Sequence, residues 1–450
     1  MFDLIIRGEG RDIGIRDGVI AAIGSGLGAS KQQIDAAGLT ILPGLIDIHL
    51  HFNEPGRTEW EGAATGSRAL AAGGGTLYFD MPLNSTPCTV NAGEFDRKAA
   101  ALSAASITDF GLWGGIVPGN CGELAELAGH GAVGFKAFLC NSGLEEFPRA
   151  DDFTLYEAMR ESARLGLPVA VHAESEEITS QLTQRMIAGN RRDIRAFLES
   201  RPVVAEVEAI SRAALIARET GCSLHIVHIS SGRGVAAALE ARTLGTDISL
   251  ETCPHYLRFT EDDLERIGAL AKCAPPLRSE SERAALRDAL RRGDIDVVAS
   301  DHSPCPPEMK QRADFFGVWG GIAGVQWTLP ALAGENLPPT RIASLTSGFG
   351  ARRFSIPDKG AIAERFDADL ALIDLAAGQT ITPQTLHHRH KISPYIGRTL
   401  PGVVRATIRR GEIIYRDGAI TAQTNGRLVR PAPMKGPHAS SRTHPQQPSA

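Results

Sequence analysis

The sequence predicts an α/β chain, a (β/α)8 TIM barrel carrying a small β-sandwich domain built from both chain ends. Three observations predict it. Strand-like and helix-like stretches alternate between about residues 45 and 365. Histidine, lysine and aspartate recur at the C-terminal ends of those strands, where a closed ring would bring them together and an open doubly wound sheet would spread them out. Short alternating strands with an Asp-Gly turn occur at both ends of the chain, at Asp17-Gly18 and again at Asp417-Gly418. The expected organisation is sandwich 1–44, barrel 45–365, sandwich 366–430 and a disordered tail 431–450.

Taken in order, Phe2–Arg7, Asp12–Arg16 and Val19–Ile23 are β-rich, with the turn dipeptide between the last two. Eight barrel strands are expected at Leu45–His51, Thr76–Met81, Thr108–Ile116, Ala132–Leu139, Pro168–Ala173, Ser223–Ile229, Asp247–Glu251 and Asp296–Asp301. Helix-period stretches separate most of them, including Asp152–Leu165, Ala205–Thr220 and Glu280–Arg292. The β style returns at Asp369–Asp374, Val403–Arg409 and Glu412–Tyr415. From Pro431 the chain turns polar and proline-rich, a composition that resists packing.

The bulk numbers exclude several classes. The chain has 450 residues, is 43% hydrophobic and carries a formal charge of −5. No basic surface advertises nucleic acid or acidic membranes, and no apolar run has bilayer length. The N-terminal residues lack a basic segment followed by a signal-length apolar run. Seven cysteines are scattered without Cys-x-x-Cys spacing, which suits reduced packing residues in a cytoplasmic protein. Cys305 lies near the candidate site but has no activating base in sequence, so it reads as structural.

The chemistry-bearing residues begin with His49 and His51, which close the apolar run from Ile41. Alternate side chains on a strand share a face, so both imidazoles leave the strand end together, and a metal ion is the simplest common partner. His172, His228 and Asp301 each end a later strand, Lys136 sits inside an apolar strand, and Asn84 follows another. Taken singly, a strand-end histidine is more often a hydrogen-bonded rim residue, and a lone aspartate before a turn is a cap. Lys136 is harder to dismiss, because lysine is almost never buried unpaired. An amine desolvated among cations has a lowered pKa and can react with carbon dioxide, giving an N-carboxylated side chain able to bridge two metals. Other histidines serve as controls. His225 should face the opposite way from His228 and be structural. His302 should point away from Asp301. His387, His388 and His390 read as surface residues beyond the barrel. His255 is placed near the mouth, behind the ligands.

These residues resemble the cyclic-amidase branch of the amidohydrolase superfamily. The order and strand placement of His49, His51, Lys136, His172, His228 and Asp301 are similar to its binuclear metal set. Within the branch the chain looks most like the allantoinase group, on the segments His49–Gly62, Asp80–Asn84, Glu251–Tyr256, Ser300–Lys310, Trp319–Gly324 and His390–Tyr395. Dihydroorotase-like chains carry arginine where Asn53 stands, and hydantoinase-like chains carry a tyrosine shortly after the lysine, where this chain has Leu139–Gly143 without one.

The resemblance implies hydrolysis of a cyclic ureide, allantoin giving allantoate, by two divalent cations. His49, His51 and Asp301 hold one, His172 and His228 the other, and carboxylated Lys136 bridges them. Zinc suits these ligands, and cobalt, manganese or iron also fit. Asp301 serves as general base and then general acid. Asn84 and backbone groups at Ala274 and Ala323 are the implied substrate contacts. The implied partners are the small-molecule ureide and further copies of the chain in a homotetramer, with no nucleic acid and no membrane. A hydantoinase-type amidase of other specificity and a non-catalytic scaffold on the same barrel are the competing readings.

Overall fold

The structure is a computed structural model that describes residues 1–432. The polar tail expected from 431 lies outside the described residues apart from Pro431 and Ala432.

The chain opens with five strands, β1 (Phe2–Arg7), β2 (Asp12–Arg16), β3 (Val19–Gly24), β4 (Ser30–Asp35) and β5 (Thr40–Pro43). The first four form one sheet in the order β3-β2-β1-β4. Strand β4, Ser-Lys-Gln-Gln-Ile-Asp, went unanticipated, because it has no hydrophobic alternation and lies in parallel register on β1 as a polar edge.

The barrel follows. Its strands are β6 (Leu45–Leu50), β7 (Gly75–Asp80), β8 (Asp109–Leu112), β9 (Gly114–Gly115), β10 (Phe135–Phe138), β11 (Val169–His172), β12 (Leu224–Ile226), β13 (Ile248–Thr252) and β14 (Val297–Val298). All pair in parallel, as β6-β7-β8 and as β14-β13-β12-β11-β10-β9. The expected third strand, Thr108–Ile116, is one path interrupted at Trp113, whose indole Nε1 donates to the Ile48 carbonyl at 2.9 Å inside the barrel. Thus β8 and β9 count as one staff of an eight-strand ring. The ring closes where Asp301 N donates to His49 O at 2.9 Å and His51 N to His302 O at 2.8 Å. The eighth strand is shorter than expected, Val297–Val298 in place of Asp296–Asp301, since beyond Ala299 the chain bends into the site loops.

Helices cover the outside. Asp152–Leu165 and Glu280–Arg292 match their expected bounds, and the helix expected at Ala205–Thr220 starts at Val203, directly after Pro202. Both of the first two end on a left-handed glycine, Gly166 (φ 66°) and Gly293 (φ 94°), which releases the chain into the next strand. Two apolar layers result. Ile46, Ile48, Leu77, Phe79, Trp113, Ala170, Val227 and Val297 fill the barrel interior. Leu45, Leu50, Phe110, Phe135, Val171, Leu224 and Val298 face the helices.

After the barrel, β15 (Leu370–Thr380), β16 (Thr399–Arg409), β17 (Glu412–Arg416) and β18 (Ala419–Ile420) join β5 in an antiparallel sheet ordered β18-β17-β16-β15-β5. Leu4, Ile6, Ile13, Ile15 and Ile20 from the first sheet meet Leu370, Leu372, Ala406 and Ile408 from the second. This is the sandwich core, and both chain ends are needed to make it. The chain then returns to the barrel, where Phe110 N donates to Arg427 O at 3.0 Å and Val429 N to Phe110 O at 2.7 Å.

A buried ionic cluster joins sandwich and barrel. The Lys359 ammonium donates to Asp109 of β8 at 2.7 Å and to Asp369, beside β15, at 2.6 Å, and it pairs with Asp367 at 2.8 Å. Arg410 is a further partner of Asp109. Burial would lower the Lys359 pKa, but the three carboxylates outweigh it and raise it. We expect Lys359→Met to destabilise the chain by about 3–5 kcal/mol, because it strands buried carboxylates without a cation. Denaturant unfolding would measure it, and a wild-type midpoint would show that the cluster carries no stability.

Candidate metal centre

The site lies at the C-terminal ends of the barrel strands. His49 and His51 end β6, where the pairing register with β7 shifts between Asp47 and Leu50. Ile46 and Ile48 pack inward and Leu50 outward, so the shift changes the phase of alternation and sends both imidazoles to the mouth. Asp301 reaches across the closing seam. His49 Nε2 is 3.3 Å and His51 Nε2 3.5 Å from its Oδ1. The possible ligand atoms of His49, His51 and Asp301 all lie within 4.8 Å of one another, and all three residues are buried in the site.

The remaining histidines continue the cluster. Ring centroids are 5.7 Å apart for His49–His51, 5.3 Å for His49–His228 and 4.6 Å for His172–His228, so the four imidazoles form an unbroken chain of ring contacts. Phe138 stacks on His172 at 4.4 Å, and the Lys136 ammonium lies 4.7 Å from the Phe138 ring centroid. Lys136 Nζ, His51 Nδ1, His228 Nδ1 and His255 Nε2 are buried without a hydrogen-bond partner among the described residues. Burial pushes the Lys136 ammonium down to about 7. Burial also lowers His51 and His172, and it lowers His228 strongly. Imidazoles with free lone pairs, a carboxylate and an amine that burial makes easier to deprotonate are donors suited to divalent cations.

Two buried carboxylates orient these rings from behind. Glu251 of β13 accepts from His49 Nδ1 at 2.7 Å, from His225 Nε2 at 3.1 Å and from the His228 backbone N–H at 3.0 Å. With Nδ1–H committed, the His49 lone pair lies on Nε2, toward Asp301. Burial would raise the Glu251 carboxyl, but His49 and His225 outweigh it and hold it low. Glu174 accepts from His172 Nε2 at 2.8 Å and is paired with Arg201. That leaves Nδ1 as the lone-pair nitrogen of His172.

Several expectations need correction. His225, read as structural and opposite in direction to His228, is buried inside the barrel and hydrogen-bonded to Glu251 and Ser249, so its structural role holds, but the alternation that set the two directions stops at His228, which adopts φ 40°. His388 was expected at the surface. It is fully buried, its ring 5.6 Å from that of His302 behind the barrel mouth. His387 and His390 are half-buried, and His390 Nε2 contacts Glu59 O at 2.9 Å. His302 does point away from Asp301, accepting from Gly324 N at 3.1 Å. Cys305 is a buried thiol whose pKa burial pushes up to about 11, as befits a structural cysteine.

A cavity of about 560 Å3 opens over the cluster. His49, His51, His172, His228 and Asp301 line it, with Asn84 and Ala274. The Asn84 amide donates to Ser303 Oγ at 3.3 Å. Ala323 falls elsewhere. It lines a smaller neighbouring cleft with Pro304 and Cys305, and its carbonyl accepts from Ser393 Oγ at 2.6 Å, so that oxygen is already engaged. His255 is buried. Sequence reasoning missed Glu251, Glu174, Lys272 and the wall segment 316–320, although Glu251 stood in a quoted motif. A glutamate flanked by apolar residues in a strand was the available signal for it.

Among the described residues no helix is long and apolar enough to cross a membrane. Among known proteins, one named allantoinase from Solibacter usitatus is 62% identical over 439 residues, covering 96% of each chain. Another of that name, from Rubrobacter xylanophilus, is 53% identical over 449 residues, covering 97% of this chain and 99% of its own. Among solved structures, the L-hydantoinase (dihydropyrimidinase) of Arthrobacter aurescens superposes with a TM-score of 0.92 at 33% identity, covering 96% of this chain and 100% of its own. A D-hydantoinase from Thermus sp. gives 0.88 at 27% identity, with 96% and 99% covered. Residues 40–414, which hold the whole barrel and most of the second sandwich sheet, match the amidohydrolase family, and to that family this chain belongs.

Proposed function

We propose that the chain is a metal-dependent cyclic amidohydrolase that opens the hydantoin ring of allantoin to give allantoate. The observation that carries this reading is the convergence of His49, His51 and Asp301 under the cavity. The choice of allantoin is supported by relatives of that name at 62% and 53% identity over nearly the full chain. The overall likeness to hydantoinases favours a second reading, a cyclic amidase of other specificity. With all six expected ligand positions occupied by ligating residue types, a non-catalytic scaffold is disfavoured.

The donor set fits two divalent cations. His49, His51 and Asp301 would hold one and His172 and His228 the other, with Lys136 between them after its amine takes up carbon dioxide and releases a proton to become a carbamate. Imidazole and carboxylate ligands suit zinc, and cobalt, manganese or iron fit as well. When bound, such cations polarise a carbonyl and acidify water. The chain's own groups do the rest. Asp301 takes the proton of the attacking water and returns it to the leaving ring nitrogen. Asn84 and the backbone at Ala274 orient the ring. Glu251 and Glu174 hold His49 and His172 in one tautomer each, so that neither of these two rings must turn when the site loads.

The deciding experiment is metal analysis of the purified protein with a panel of allantoin, hydantoin and dihydrouracil. Bound divalent metal with preferential turnover of allantoin is expected. No metal uptake and no turnover after loading would end the enzymatic reading, while preference for hydantoin would move the chain to the second. Asp301→Asn should retain much of the metal and lose turnover by roughly two to four orders of magnitude. A near-normal kcat in that variant would remove Asp301 from proton transfer. Lys136→Ala should lose metal and activity together and regain part of both on addition of short carboxylic acids. Intact-mass measurement under native conditions should find one carbon dioxide on the wild type and none on the variant.

A further inference from the structure

Two lysines, Lys272 buried and Lys310 half-buried, take no part in the chemistry above. Lys272 Nζ donates to the carbonyls of Phe315 (2.6 Å), Val318 (2.7 Å) and Phe316 (3.2 Å). Lys310 Nζ donates to the carbonyls of Gly321 (2.8 Å), Trp319 (2.9 Å) and Ala269 (3.0 Å). An ammonium has three N–H groups, so each lysine is satisfied by backbone oxygens alone. Lys272 also faces the rings of Phe197 and Phe315, at 4.6 and 5.1 Å. Burial lowers the two lysines to about 7 and about 8. Ammonium groups drawn away from water and held by carbonyls require those carbonyls to stay in place, so the dependence runs both ways.

The carbonyls concerned belong, with one exception, to residues 315–321. This stretch has one short 3-10 turn, Phe315–Gly317, and no strand pairing beyond it. Its own backbone ties are few: Phe315 N to Arg192 O at 2.9 Å, Gly317 N to Asp314 O at 3.0 Å, Trp319 N to Met309 O at 3.2 Å and Val318 N to Phe315 O at 3.3 Å. Yet Phe316, Gly317, Val318, Trp319 and Gly320 make an unbroken run of cavity wall, with Lys272 and Met309 beside them. Trp319 further donates its indole N–H to Ser303 O at 3.2 Å, and the hydroxyl of the same Ser303 receives the Asn84 amide. The wall is therefore linked to a polar group expected on the substrate.

We propose that Lys272 and Lys310 are positioning residues that hold segment 315–321 as the substrate-facing wall of the cavity, and so set KM and discrimination among cyclic ureides without acting on the metal ligands. The inference rests on the cyclic-amidohydrolase reading of the cavity. Methionine keeps the stem of lysine and removes every N–H, which makes Lys272→Met, Lys310→Met and their combination the natural variants. Their backbone amide exchange across 312–321, their metal content and their kinetics on allantoin and hydantoin are measured beside the wild type. Faster exchange confined to that segment is expected, with KM for allantoin raised about tenfold and kcat and metal content within about twofold of wild type. Wild-type exchange and KM would overturn the proposal. So would kcat and metal content falling together, which would place the lysines in support of the metal centre. If a methionine variant fails to fold, Lys310→Gln, which keeps two donors, should still raise KM, and an unchanged KM there overturns the proposal. A wild-type protein that opens no ureide in the panel would fail the function instead, and the exchange measurement would still decide whether the lysines hold the segment.

Discussion

One carboxylate, Glu251, fixes the geometry on which the site depends. It is fully buried and accepts from a ring nitrogen of β6, a ring nitrogen of β12 and the backbone N–H that follows β12. Hydrogen bonds to a charged group contribute about 1.5–3 kcal/mol each, more than the usual neutral bond. Three of them converging on one side chain make the relative placement of His49 and His228 a property of the folded chain and not of any ligand. The seam between β14 and β6 adds the third member, since Asp301 N is bonded to the backbone of the same His49 that its carboxylate approaches.

That placement is partly strained. His228 and Asp301 stand at φ 40° and 43°, and Asn53 and Asn84 at 64° and 70°. Asparagine tolerates this region and the other two residues do so less readily, at a cost of about 1–3 kcal/mol each. The gain is directional. A strand alone can aim side chains to two faces, whereas a left-handed residue at its end aims one into the mouth. Strand ends, tight bonding around Glu251 and a well-filled barrel interior together hold conformations that an isolated segment would abandon.

The same physics explains what could be read in the sequence. The eight-strand ring, the two-ended sandwich and the gathering of His49, His51, His172, His228 and Asp301 follow from alternation and from polar residues ending apolar runs, which are local signals. Lys136 was legible because a lysine in an apolar strand is anomalous by itself. Where the reading failed, the cause was tertiary. Period 2 was carried from His225 through to His228, and the positive φ of His228 ended it there. His388 was placed at the surface because nothing nearby in sequence foretells burial beside His302. Strand β4 offers no pattern and exists because β1 presents a free edge.

The sandwich carries a consequence for synthesis. Strands β1 to β4 leave the ribosome before the barrel, and β5 pairs with β15, which is made only after the entire barrel. The apolar face of Leu4, Ile6, Ile13 and Ile15 is covered by Leu370, Leu372, Ala406 and Ile408. The nascent polypeptide must therefore carry an uncovered sheet through most of translation, and vectorial folding can finish the barrel but not its companion. Premature termination anywhere before β15 leaves that sheet bare, a natural handle for chaperones and proteases to recognise an incomplete copy.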